Sequence, residues 1–180
     1  MADEKKYPGK EVEVKVPPIE KKFDIGAQIT RATFFAFRET VRLMCPNVKM
    51  MEMAKKFWEI TARDTVPGYL KTVDPSKPLP EQIARSFVWS SLVMGESAKL
   101  IVASDKEAYC WHDACPWFDW ASRLDKKDPG VLAEDEPGCS TWFTECVRLI
   151  NQKLGTNVKI KTEKSLPAGN GCCVRKIWVD

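Results

Sequence analysis

The chain holds a single histidine and three tyrosines in 180 residues, and no apolar run approaches the ~20 residues that a bilayer-crossing helix needs. A lone histidine rules out an H-E-x-x-H zinc site. The short apolar runs leave no membrane-spanning segment. Neither a G-x-G-x-x-G fingerprint nor a phosphate-binding P-loop is present, so dinucleotide and nucleotide chemistry lacks its usual cradle. The opening Met-Ala-Asp-Glu-Lys-Lys has no apolar core of the secretory kind, which sets the expectation of a cytoplasmic protein whose thiols stay reduced. A basic block is missing too. Lys and Arg total 28 against 25 Asp and Glu, the signs are intermixed, and the net charge of +3 gives no footprint for nucleic acid.

What the chain does have is seven cysteines and seven tryptophans in a composition that is 44% hydrophobic, an ordinary globular background for one domain. Residues 1–22 read as a Lys/Glu- and Pro-rich arm in which Val12, Val14 and Val16 alternate as a short strand. Residues 23–180 then form the domain. From Phe23 to Met44 two apolar lines lie nearly opposite each other on a helix, leaving Gln28, Arg31, Arg38 and Arg42 as the wet edge. A helix apolar on two sides runs through a core, lines a cavity or forms a subunit interface, so a homodimer is reasonable. A second helix is expected over 48–63, ended by Pro67-Gly68, and a third starts near Pro80.

Residues 99–111 read as a hairpin around Ser104-Asp105-Lys106. A short helix follows Pro116, then a charged, lid-like loop over 125–138, then a helix from Cys139 to Leu154 stopped by Gly155. Two strands close the chain, over 157–162 and 172–179, the second alternating Cys173, Arg175 and Ile177 against Val174, Lys176 and Trp178. The fold class is α+β, helices packed on an antiparallel sheet, with a ligand pocket expected between them.

Cys45 stands alone in an apolar helix, but the other six cysteines and His112 fall between residues 110 and 173. Thiolate and imidazole are the ligands that zinc and iron select, so this third of the chain is a candidate metal site holding zinc or a 4Fe–4S cluster. In one regular helix Cys139 and Cys146 lie about 10.5 Å apart along the axis, too far for one zinc. Both fit only if Cys139 begins the helix, where the dipole favours its thiolate, or if the group is a larger cluster. Trp117 and Trp120 share a helix side and, with Trp142, are candidates for an aromatic pocket wall.

Ala114-Cys115-Pro116-Trp117, then Phe143-Thr144-Glu145-Cys146, then the stretch from Val158 through Gly169-Asn170 to Cys172-Cys173-Val174-Arg175 resemble the C-terminal half of the aminothiazoline carboxylate hydrolase-like family. The same segments are similar, more distantly, to the vinyl reductase-type small-molecule-binding domain. The resemblance implies an α+β fold with a ligand pocket and puts Cys115, Cys146 and Cys173 at the family's cysteine positions, with Cys139 and His112 competing to complete the set. Asn170 and Leu149 stand where such families carry acids. The function it implies is a metal-dependent hydrolase-like enzyme acting on a small organic molecule, with His112, Asp113 or Glu145 moving protons. The alternatives are a non-catalytic ligand-binding or sensor domain with a structural zinc or iron–sulfur site, or a zinc domain that works through partners.

Overall fold

The computed structural model describes residues 17–180, so the strand expected around Val12 lies outside the described residues. Helices α1 (Ile19–Met44), α2 (Met50–Leu70) and α3 (Leu79–Val93) come first, followed by the hairpin β1 (Ser97–Ser104) and β2 (Glu107–Ala114). Helices α4 (Pro116–Asp125) and α5 (Val131–Leu154) come next, and the chain ends with β3 (Lys159–Lys164) and β4 (Cys173–Trp178). The sheet is antiparallel throughout, in the order β1-β2-β4-β3. The α+β architecture is as the periodicities indicate.

Alternation along each strand gives the sheet one apolar face, and α3 and α5 cover it. Ala108, Cys110 and Ile177 from the sheet meet Ile83, Ala84 and Phe87 of α3 and Phe143, Cys146, Val147 and Ile150 of α5 in one buried cluster. A smaller cluster of Phe35, Ala121 and Val131 joins α1 to α4 and the start of α5.

Two Pro-Gly pairs mislead a reader of the sequence. Helix α2 continues through Pro67 and Gly68, and α5 begins at Val131, so Pro137 and Gly138 lie inside it and the expected charged loop is mostly helix. At Gly138 the reason is contact. A Cβ there would lie 2.8 Å from Cδ1 of Trp58, so the glycine is what lets α2 press against α5.

Helix α1 keeps Gln28 and Arg42 of its expected wet edge exposed but turns the other half inward. Arg31 and Arg38 are buried, whereas Ile25, Ile29 and Phe37 are exposed. Arg38 is bidentate to Glu134 at 2.7 Å and also reaches Asp128 at 2.6 Å, and Arg31 donates to the carbonyl of Met94 at 2.7 Å. The long arginine stems pack along the protein while their heads meet acceptors on α5 and at the end of α3, a partnership that helical periodicity cannot show.

Candidate functional site

A cavity of about 750 Å³ lies between α1, α2, α3, α5 and the sheet, within the ~300–1,000 Å³ range of small-ligand sites. One wall is aromatic. Phe34 of α1 sits 4.7 Å from Phe57 and 5.7 Å from Trp58, both of α2, and Trp117 of α4 closes the group 5.4 Å from Trp58. The far wall is Trp142 and Phe143 of α5, ring centroids 4.8 Å apart. The rim is apolar and open: Ile29 is 59% exposed and Trp89 63%.

The floor is polar, and strand register builds it. Pairing of β2 with β4 sets Cys110 opposite Arg175 and His112 opposite Cys173, so all four side chains share the covered face. His112 Nε2 lies 2.7 Å from the Ser91 hydroxyl and 3.2 Å from a Glu96 carboxylate oxygen. Arg175 is buried. Its Nη2 donates to Cys139 Sγ at 3.5 Å, its guanidinium carbon stands 4.9 Å from the Phe143 ring, and its Nε and Nη1 have no partner among the described residues. Half-buried Asp135 of α5 lines the same region. Burial, reinforced by the Glu96 charge and opposed by Arg175, pushes its carboxyl up to about 6.

The residues singled out in the sequence divide between this cavity and other places. His112, Cys115, Cys139, Cys173, Trp117 and Trp142 line it. Trp120 instead stacks on Phe35, and Cys146 is sealed in the main core. Of the other proposed proton carriers, exposed Asp113 pairs with Lys99, and Glu145 pairs with Arg148.

The metal reading is overturned. No group of three or more His, Cys, Asp or Glu among the described residues is placed to hold a metal ion, so the zinc and iron–sulfur assignments and the hydrolytic chemistry built on them lose their site. The physical reason lies in the thiols. Cys139 falls mid-helix rather than at a helix start, two turns from Cys146, and burial pushes it up to about 12, with Arg175 opposing. Burial also raises Cys110, Cys115 and Cys146 well above the ordinary thiol value. Cys146 is sealed in the main core while Cys139 lines the cavity, so the helix that carries both does not bring them to one point.

No family model matches the chain, and no curated protein matches it either. Several solved chains share the fold, among them subunit 3 of a trafficking protein particle complex from Naegleria fowleri, covalently bound to palmitic acid, at TM-score 0.50 and 12% identity over 89% of this chain and 96% of that one. The likeness is one of architecture. It replaces the hydrolase-like and vinyl reductase-type resemblances, which no comparison supports. No helix among the described residues is long and apolar enough to cross a membrane.

Sequence reasoning offered α1 as a cavity wall only among other roles, and it missed the share of α2 as well as Glu96 and Asp135. Phe34, Phe57 and Trp58 lie far in sequence from the cysteine-rich third. Only the aromatic content of the two helices hinted at a shared wall. Arg175 carried a sharper signal, a charged residue in the same alternation as Cys173 and Ile177.

Proposed function

We propose that this protein is a subunit of a protein assembly of the trafficking kind and that its cavity holds a fatty acyl chain. The observation that carries the reading is the cavity itself: a pocket of about 750 Å³ walled by Phe34, Phe57, Trp58, Trp117, Trp142 and Phe143 and opening through an apolar rim. Each methylene removed from water contributes ~0.8 kcal/mol, so a chain of about ten carbons gains several kcal/mol from such walls. Support also comes from the shared fold, since the trafficking subunit of the same architecture carries palmitic acid. The exposed rim residues Ile29, Phe37 and Trp89 favour a protein partner, and a second copy of this chain is the simplest one.

The test uses delipidated protein and the neutral apolar dye N-phenylnaphthylamine, excited through Trp58, Trp117 and Trp142. The dye is expected to bind with energy transfer and to be displaced by long-chain fatty acids. Filling the cavity with Thr61→Trp is expected to weaken dye binding about tenfold or more while the circular dichroism stays native. Wild-type protein that takes up no dye, or dye that fatty acids fail to displace, overturns the acyl-chain reading. A single-chain mass by light scattering at tens of micromolar overturns the second copy as partner.

A further inference from the structure

Five buried side-chain polar atoms lack a hydrogen-bond partner among the described residues, and three of them belong to cavity-lining residues: Arg175 Nε, Arg175 Nη1 and Trp142 Nε1. All three are donors, so what the cavity wants is an acceptor. Arg175 is the more telling of the two residues, because a buried guanidinium is costly unless an anion answers it. It is 2% exposed, and no carboxylate lies within 4.0 Å of it among the described residues. Its neighbours are the Cys139, Cys110 and Cys173 thiols and the face of the Phe143 ring, with Asp135 and Glu96 farther off.

We propose that Arg175 is the anchor for the carboxylate of an acidic amphiphile that enters the cavity head first, with its chain directed toward Ile29 and Trp89. Nη2 spends one of its two hydrogens on Cys139. Whichever one that is, one two-donor edge of the guanidinium remains, the fork that a carboxylate fills. The direction follows from the burial gradient: Arg175 and His112 lie at the floor, 2% and 4% exposed, while Ile29 and Trp89 at the rim are 59% and 63% exposed. A ligand placed the other way would leave its head in an apolar mouth and the buried donors unanswered. Trp142 Nε1, on the far wall, is a second donor for a head group or for a water beside it.

This inference rests on the acyl-chain reading and adds the chemical class of the head, a free carboxylate rather than an ester or alcohol. Dodecanoate and 1-dodecanol share a chain and differ only at the head, so their displacement of N-phenylnaphthylamine from the full-length protein tests it. Wild-type protein is expected to bind dodecanoate about 10–100-fold more tightly than dodecanol at pH 8. Arg175→Met is expected to lower that ratio to near one, and Arg175→Lys, which keeps the charge but not the fork, to give an intermediate ratio. Acetate at millimolar concentration is expected to leave bound dodecanoate in place.

Equal affinity for acid and alcohol in the wild type overturns the anchor while leaving the cavity reading intact, and so does a ratio that survives in Arg175→Met. Acetate that displaces dodecanoate reassigns Arg175 to a small free anion and overturns the amphiphile. Failure of the dye itself to bind removes the cavity reading and the anchor with it. The wild-type ratio needs no variant to fold.

Discussion

A carboxyl group half-buried beside Glu96 is badly placed to ionise, and Asp135 shows it by rising from an ordinary 3.8 to about 6. Between about pH 4 and pH 6 the folded chain therefore holds a proton at this position that the unfolded chain has released. The contribution of Asp135 to stability accordingly grows as pH falls from 6 to 4, and above pH 6 its charge is a burden on the fold. Asp135→Asn, which keeps the shape and removes the charge, is expected to unfold at higher urea than the wild type at pH 8, by about 1–3 kcal/mol. The advantage is expected to vanish below about pH 4. Urea titrations at the two pH values check this, and an advantage that persists in acid contradicts it. The cysteines teach a related lesson. A thiol that is a ligand and a thiol that fills a core look the same in a sequence, and only the packing around Cys146, Cys139 and Cys110 separates them.

Helices were legible where their apolar stripes were long and illegible where a Pro-Gly pair crossed them. Gly138 reads as the end of a loop, yet its missing side chain is an element of the α2–α5 contact, because Trp58 occupies the space a methyl group would take. Gly138→Ala gains up to about 1 kcal/mol of helix propensity, but the clash with Trp58 outweighs it, so a net loss of about 1–3 kcal/mol is expected. Since Trp58 also lines the cavity, the same variant is expected to change tryptophan-sensitised emission of bound N-phenylnaphthylamine. Unchanged stability and emission would show that Trp58 moves aside freely. The strands were clearer, since alternation around 99–111 and 172–179 marks both the hairpin and the face that carries Cys173 and Arg175. The aromatic wall was not, because it joins residues of α1 and α2 to α4, contacts that no local pattern encodes.

At the scale of the whole molecule, α1 is tied to the body by Phe34 and Phe35 and by two buried arginines. Removing Arg38 leaves Glu134 buried without its counter-charge, and Asp128 loses its closest contact. Arg38→Leu is therefore expected to cost about 3–5 kcal/mol, and adding Glu134→Leu to recover much of that loss. Hydrogen exchange is expected to quicken first along α1 in the single variant, whereas protection equal to the wild type would mean that the apolar contacts of α1 suffice without the ion pairs.

The sheet has two unlike borders. Edge strand β3 reads Lys-Ile-Lys-Thr-Glu-Lys, and its charges repel another strand. Among the described residues β1 is the other edge; it exposes Ile101 and Val102, 41% and 47% accessible, and its one charge is Lys99. Two molecules joined β1 to β1 about a two-fold axis would each turn a lysine-rich border outward, and that border accepts no third. Association through this sheet would then end at a pair, and a fibre would have no second end from which to grow.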